Sequence, residues 1–188
     1  MTFQHKIIEI AKKADKDGFV RNQTGNYSIF DRENGIIYIT PTGFERETLK
    51  QEDIVMMSPS GKILYSLRGT KPSREVGMHL AVYASREDVN AIVHTHSTYA
   101  TAFAVKGRVI DPITTESSIY GGQVGMVPPA PVGSVKLATG AAQALKDKDA
   151  CLLQNHGVIT IGKTIDEAYL KAVYVEETAK IQYISERL

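Results

Sequence analysis

Helical spacing of apolar residues is the clearest pattern at the two ends of the chain. Residues 2–17 place their apolar side chains on one helical face, and Gly18 predicts the end of that helix. Near the other end, Thr164 and Glu167 have the spacing of a capping box, which predicts a long helix over 164–187. The same spacing predicts three further helices, over 72–84, 97–105 and 134–148.

Short apolar runs bounded by turn residues predict strands between these helices, over 35–40, 90–96, 150–154 and 158–161. The runs 53–57 and 62–65 flank Ser58-Pro59-Ser60-Gly61 and predict a hairpin. Segments 22–27 and 107–132 are rich in turn residues, and the second predicts loops with short strands. Because strands and helices interleave while several strand pairs resemble hairpins, we expect a layered α/β domain with a mixed sheet.

Composition narrows the class of protein without identifying it. The 188 residues are 43% hydrophobic and 23% charged, which is typical of one globular domain spanning 1–188. A net charge of +1 gives no electrostatic reason to expect nucleic acid or a membrane surface as a partner. No apolar run approaches the roughly 18 residues of a membrane span, and the N-terminus lacks a signal peptide, so a cytoplasmic protein is expected. The one cysteine, Cys151, is expected to be a buried core residue.

The segment His94-Thr95-His96 is the strongest chemical signal in the sequence. Side chains alternate along a strand, so both imidazoles leave the same face and can bind one metal ion. A third histidine, His156, follows the apolar run 150–153. Three imidazoles with an open fourth position are typical of a catalytic zinc site. The alternative is a chance pair of histidines on a strand.

Glu75 and His79 form a second signal, one helical turn apart on one face of the predicted helix. The Glu75 carboxylate could complete a metal site or act as a general acid and base. Alternatively, it stabilises the helix by pairing with the N-terminal dipole. His79 alone is more typical of a hydrogen-bonded core histidine.

Three glycine- and hydroxyl-rich segments form a third signal: 24–28, 40–43 and the helix start at Ser73. Backbone N–H groups in such turns and at helix N-termini bind anions. Each segment alone is typical of an ordinary loop. Together with a metal site, they indicate a phosphorylated substrate.

The ordered motifs GNYS, TPTG, KPSRE, HTHS and QNHG resemble the class II aldolase/adducin-like family over nearly the whole chain. The resemblance implies a three-layer α/β/α sandwich with a central mixed, largely antiparallel sheet. It also implies a homotetramer with its sites between subunits. The implied activity is that of a metal-dependent aldehyde-lyase, which cleaves a ketose 1-phosphate to dihydroxyacetone phosphate and an aldehyde.

The resemblance also implies a role for each motif residue. Zinc, or manganese or cobalt in its place, would be held by His94, His96 and His156. Glu75 would approach the metal in the resting site and serve as the proton donor and acceptor. The residues implied to hold the substrate phosphate are Gly25, Asn26, Thr42, Gly43, Ser73 and its neighbour Arg74.

Two departures from the family pattern leave alternatives open. Arg74 stands where the family has serine, and it either adds a phosphate contact or faces solvent. The segment 113–120 offers no match for the tyrosine that protonates the leaving aldehyde, and Ser118 stands where an epimerase would carry aspartate. A sugar-phosphate 4-epimerase, a methylthioribulose-1-phosphate dehydratase and a 3-oxo-tetronate-phosphate decarboxylase therefore remain alternatives. A non-catalytic adducin-like interaction domain is a remote one.

The apolar residues of segment 107–132 bear on assembly. A solvated loop of this length would expose much apolar surface, so a homo-oligomer is expected to cover it. The alternative is that these residues pack on the sheet of their own subunit.

Overall fold

An eight-stranded sheet forms the middle layer of the protein in a computed structural model that describes residues 1–188, apart from the side chain of Arg68. The strand order is β4-β3-β2-β1-β5-β8-β7-β6, and every neighbouring pair is antiparallel except the parallel pair β6 and β7. The sheet is therefore mixed and largely antiparallel, as expected. The strands are β1 (Asn26–Asp31), β2 (Ile36–Ile39), β3 (Val55–Met57), β4 (Ile63–Tyr65), β5 (Ala91–Thr95), β6 (Gly125–Val127), β7 (Ala150–Leu153) and β8 (Gly157–Gly162).

Five α-helices cover the two faces of this sheet: α1 (Phe3–Lys16), α2 (Val76–Ser85), α3 (Thr98–Lys106), α4 (Val135–Ala144) and α5 (Ile165–Ser185). Helices α1, α3 and α5 pack on one face, where Tyr27 and Val93 are fully buried. Helices α2 and α4 pack on the other, against residues such as Ile92 and Ile159. The predicted three-layer α/β/α sandwich is confirmed. Among the described residues, no helix is long and apolar enough to cross a membrane.

The predicted starts of the terminal helices are confirmed by their caps. The Thr2 side chain accepts a hydrogen bond from the His5 backbone at the start of α1, and Gly18 has a left-handed φ of 76° after its end. The Thr164 side chain likewise accepts a hydrogen bond from the Glu167 backbone at the start of α5. Cys151 is buried as predicted, and burial raises the pKa of its thiol.

The prediction that a helix opens at residues 72–73 was wrong, because this segment is extended. The Ser73 backbone N–H donates to Thr40 O (3.0 Å), and the Thr42 N–H donates to Lys71 O (3.1 Å). These bonds pair the segment with the end of β2, so α2 begins only at Val76. Glu75 is therefore the cap residue that precedes the helix and not a residue of its first turn.

Two other boundaries differ from the predictions. Helix α4 ends at Ala144 and not near residue 148, because Arg86 donates to the carbonyls of Leu145 (2.7 Å) and Lys148 (3.1 Å) and stabilises a turn there. Strand β1 already starts at Asn26, within the turn-rich stretch, because Asn26 pairs with His94 of β5.

Segment 107–132 contains short β6 and irregular turns, as predicted. Its apolar residues differ in their exposure. Ile113 and Ile119 are 48% and 43% exposed. Four other apolar residues of the segment are buried within their own chain: Ile110, Tyr120, Val124 and Val127.

Candidate active site

The three predicted metal-binding histidines converge at one end of the neighbouring central strands β5 and β8. His94 is the fourth residue of β5, and His96 lies just beyond the end of that strand. His156 lies in the three-residue turn between β7 and β8, where Asn155 has a left-handed φ of 59°. Strands β5 and β8 are hydrogen-bonded neighbours with His94 opposite Ile159, so this turn ends beside the end of β5.

Two glycines permit the close approach of backbone to these histidines. A Cβ atom on Gly157 would lie 2.3 Å from Thr95 O and 3.0 Å from His96 Cδ2. A Cβ atom on Gly25 would lie 2.7 Å from His94 O, and Gly25 also has a left-handed φ of 75°. Any larger residue at either position would push the strands or turns around the histidines apart.

The histidine side chains form a donor set suited to a divalent ion. Their ligand nitrogens all lie within 4.8 Å of one another. His94 Nδ1 lies 2.9 Å from Val158 O, so this nitrogen carries the proton and donates to the carbonyl. The neutral ring then presents Nε2 as the ligating atom, 3.1 Å from His96 Nε2; burial lowers the pKa of His94, but the adjacent Glu75 carboxylate raises it above its usual value. A backbone carbonyl that fixes the tautomer of a ligating histidine is typical of metal sites.

Burial favours the neutral form of two of these imidazoles. It lowers the pKa of His96 to about 3, with His94 and His156 adding to the effect. It lowers the pKa of His156 to about 4, and His94 again contributes. A metal ion binds the neutral imidazole, so both side chains are in the ligating form at neutral pH.

The Glu75 carboxylate lies directly beside the histidine cluster and is 6% exposed. Its Oε2 atom lies 3.1 Å from His94 Nε2 and accepts a hydrogen bond from Asn26 Nδ2 at 2.9 Å. Its Oε1 atom lies 3.5 Å from His156 Nε2 and has no hydrogen-bond partner among the described residues. Burial raises the pKa of Glu75, but His94, His156 and Asn26 together lower it well below the usual value. The carboxylate is therefore ionised. Its Oε2 atom accepts a hydrogen bond from Asn26, and its Oε1 atom has no partner among the described residues.

A cleft of about 210 Å³ opens in front of Glu75 and two of the histidines. Gly43 is the one predicted phosphate residue that does not line it, and lies exposed beside Thr42. The Ser73 hydroxyl accepts a hydrogen bond from the Glu75 backbone (3.3 Å), whereas Arg74 is exposed. The predicted residues that line the cleft are Gly25, Asn26, Thr42, Ser73, Arg74, Glu75, His96 and His156.

Arg46 is a contributor that the sequence analysis missed. Its side chain is buried, and its guanidinium donates to the carbonyls of Thr24, Gly25 (2.7 Å) and Phe44 (2.8 Å). It thereby connects the turn before β1 to the turn after β2. No local pattern marks this arginine, because two of its three partners, the carbonyls of Thr24 and Gly25, are more than 20 residues away.

The core interpretation of His79 agrees with the structure, since the side chain is fully buried and hydrogen-bonded at both ring nitrogens. Its partners are Asn26 and Ser28 of β1, and Ser28 in turn contacts Tyr83. The sequence analysis did not single out Ser28 or Tyr83. Their polar side chains at positions expected to be buried were the available signal.

The α/β/α sandwich, the three convergent imidazoles and the adjoining carboxylate together define an enzyme of the class II aldolase type. The chain belongs to the Class II Aldolase and Adducin N-terminal domain family, whose model matches residues 5–183. Its relatives over nearly the whole chain are named as aldolases, so the chain is an aldolase of this family.

Two relatives and one solved structure illustrate the similarity. An L-fuculose phosphate aldolase of Methanococcus maripaludis is 36% identical over 183 residues, covering 97% of each chain. A 5-deoxy-D-ribulose 1-phosphate aldolase of Bacillus thuringiensis serovar kurstaki is 37% identical over 180 residues, covering 96% of this chain and 84% of the relative. The solved structure of an L-fuculose 1-phosphate aldolase has a TM-score of 0.95 and 32% identity, covering 98% of this chain and 86% of its own.

Proposed function

We propose that this protein is a zinc-dependent aldolase that cleaves a ketose 1-phosphate to dihydroxyacetone phosphate and an aldehyde. The observation that carries the proposal is the convergence of His94, His96 and His156 on the Glu75 carboxylate beside a polar cleft. Three imidazoles and one nearby carboxylate provide both a cation site and a proton carrier for the same substrate.

The three histidines would hold the ion, because their ligand nitrogens converge and His94 is fixed in the ligating tautomer. A divalent ion at this position supplies electrostatic stabilisation of negative charge that develops on the substrate's oxygen atoms. The nitrogen donor set suits zinc, and manganese or cobalt are the alternatives that reconstitution distinguishes.

Glu75 is proposed to carry the proton. In the cleavage direction the ionised Glu75 carboxylate accepts the proton of the C4 hydroxyl as the C3–C4 bond breaks. The aldehyde leaves, and the bonding electron pair remains on C3. Glu75 then donates a proton to C3, and in the reverse direction it removes that proton. The Oε1 atom is the one available for this exchange, because it has no hydrogen-bond partner among the described side chains, whereas Oε2 accepts a hydrogen bond from Asn26.

The turns that line the cleft are proposed to bind the substrate phosphate. They offer the backbone N–H of Gly25 and the hydroxyls of Thr42 and Ser73, together with the Asn26 side chain. Gly43 would contribute its backbone N–H from beside Thr42. Contacts to a remote phosphate position the scissile bond without taking part in its cleavage.

Two substrates follow from the names of the relatives. L-fuculose 1-phosphate would release lactaldehyde, and 5-deoxy-D-ribulose 1-phosphate would release acetaldehyde. We favour a fuculose-phosphate-like substrate, since the first relative and the structural neighbour both carry that name. The deoxyribulose phosphate is the second candidate on the strength of the Bacillus relative.

A panel of ketose 1-phosphates tests this function. Released dihydroxyacetone phosphate is measured by coupled reduction with NADH, and the aldehyde is identified by mass spectrometry. The expected result is equimolar release of both products, abolished by a chelator and restored by zinc. Conversion of the substrate without dihydroxyacetone phosphate would instead indicate an epimerase, dehydratase or decarboxylase and would contradict the proposal.

We also propose that the protein is a homotetramer with its sites near subunit boundaries. Val132 lines the cleft and is 52% exposed, and nearby Val135 is 79% exposed. Exposed apolar surface that continues into the cleft would be buried against a second subunit. Light scattering at micromolar concentration is expected to give four times the chain mass. A strictly monomeric and fully active protein would contradict the shared site.

A further inference from the structure

A buried chain of hydrogen bonds leads away from Glu75 into the core. Asn26 Nδ2 lies 2.9 Å from Glu75 Oε2, and Asn26 Oδ1 lies 2.6 Å from His79 Nε2. The other ring nitrogen, His79 Nδ1, lies 2.6 Å from Ser28 Oγ, which lies 2.7 Å from the Tyr83 hydroxyl. All five residues are at least nine-tenths buried, so water does not substitute for these partners.

Chemistry fixes the direction of every bond in this chain. An amide nitrogen only donates, so Asn26 Nδ2 donates to Glu75 Oε2 and the Asn26 carbonyl oxygen faces His79. The carbonyl only accepts, so His79 Nε2 carries the ring proton. In the neutral ring, His79 Nδ1 is then an acceptor and accepts a hydrogen bond from the Ser28 hydroxyl. The Ser28 oxygen in turn accepts from Tyr83. Burial lowers the pKa of His79 to about 3, which agrees with the neutral ring that this sequence of donors requires.

This series of hydrogen bonds constrains the orientation of the Glu75 carboxylate, which a hydrogen-bonded core histidine alone would not do. Asn26 can rotate its amide by exchanging nitrogen and oxygen, and that rotation would turn an acceptor towards the Glu75 carboxylate. The His79 N–H prevents it, because only the Asn26 oxygen can accept from this donor. The orientation of the Glu75 carboxylate therefore depends on His79, which does not touch it.

We propose that His79, which donates to Asn26 from Nε2 and accepts from Ser28 at Nδ1, is a positioning residue that fixes the Asn26 amide and thereby the Glu75 carboxylate. The proposal rests on the proposed function of Glu75 as the proton carrier. In metal sites, the groups that hydrogen-bond to the residues around the ion typically contribute about 10- to 100-fold to metal affinity or activity.

A matched pair of variants tests the role of the His79 N–H. In His79→Gln the side-chain amide reaches the position of Nε2 and still donates to Asn26. In His79→Asn the shorter amide reaches only the position of Nδ1, so the bond to Asn26 is lost. We expect His79→Asn to lower kcat by about 10- to 100-fold, while KM and zinc content stay within about twofold of the native values. We expect His79→Gln to restore kcat to within about threefold of the native value. Equal kcat in the two folded variants, whether native or reduced, would overturn the proposal.

A second measurement does not depend on activity or on the folding of a variant. Nitrogen-15 NMR of the histidine rings in the zinc-loaded native protein is expected to show His79 neutral, with its proton on Nε2. A proton on Nδ1, or a protonated ring at pH 7, would overturn the proposal. Native turnover in zinc-loaded Glu75→Gln would instead contradict the proposed function, and the NMR result would still establish whether the hydrogen-bond chain exists.

Discussion

Two groups of residues around the cleft are built in different ways. We call His94, His96 and His156 the histidine wall, and the turns 23–26, 40–43 and 72–74 the anion wall. The histidine wall rests on β5 and the β7–β8 hairpin, where strand pairing sets each position. The anion wall consists of connecting segments that Arg46 and the Ser73–Thr40 bond hold together.

The difference follows from what each wall is proposed to bind. A metal ion and a proton transfer need ligand atoms placed to within tenths of an ångström, and regular strands provide that precision. A phosphate is larger and is recognised by several donors at once, so loops are sufficient. We therefore expect damage to the histidine wall to abolish turnover and damage to the anion wall to weaken substrate binding.

Removal of a histidine should have the largest effect. We expect His156→Ala to lose bound zinc and to lower kcat/KM by more than about a thousandfold, since a bound cation contributes several kcal/mol to catalysis. Elemental analysis and the dihydroxyacetone phosphate assay measure the two effects. His5→Ala is the matched control, because the His5 side chain is 43% exposed and lies on α1. A His156→Ala protein with native zinc content would contradict the metal assignment.

Forcing the strands apart should have the next largest effect. In Gly157→Ala the new methyl group would lie 2.3 Å from Thr95 O, a backbone atom that moves only with β5. We expect the free energy of unfolding to fall by about 1–3 kcal/mol, as in other overpacked sites, and zinc affinity to fall with it. Denaturant unfolding and zinc titration measure both. The control is Gly125→Ala, where an added Cβ meets no atom within 4 Å. Equal behaviour of the two variants would refute the close-approach argument.

Loosening the anion wall should change KM more than kcat. Arg46→Met keeps the length of the side chain but removes its bonds to the carbonyls of Thr24, Gly25 and Phe44. A loss of about 1.4 kcal/mol of substrate-binding free energy corresponds to a tenfold rise in KM for the sugar phosphate. We expect kcat to stay within about threefold of the native value. The exposed neighbour Glu45 provides the control Glu45→Gln. A large fall in kcat at unchanged KM would show that Arg46 acts on the histidine wall instead.

The smallest effect is expected at Arg74, which is exposed at the cleft. Exposed charges contribute about 0.2–1 kcal/mol, so Arg74→Ser should raise KM for the phosphorylated substrate by less than about fivefold. Added salt should reduce the difference between the two proteins. A lower KM in Arg74→Ser would show that the arginine obstructs the phosphate.

The sequence was more informative about the histidine wall than about the anion wall. Two-residue spacing at the end of an apolar run was sufficient to predict that His94 and His96 converge, although His96 lies just beyond the end of β5. The start of α2 was predicted wrongly, because Ser73 satisfies its backbone by pairing with Thr40, 33 residues earlier in the chain. The bonds of Arg46 to Thr24 and Gly25 and the order Tyr83–Ser28–His79–Asn26 were beyond sequence reasoning for the same reason: these contacts join residues that are distant in the chain.

Solvent hydrogen exchange tests the central claim most directly, because it isolates the proton transfer from the identity of the aldehyde. Zinc-loaded native protein is incubated with dihydroxyacetone phosphate in deuterium oxide, and NMR follows the hydroxymethyl carbon. We expect one of its two hydrogens to be replaced by deuterium. In Glu75→Gln with the same zinc content, we expect exchange to slow by about a hundredfold to ten-thousandfold. Exchange at the native rate in that variant would contradict the assignment of Glu75 as the proton carrier.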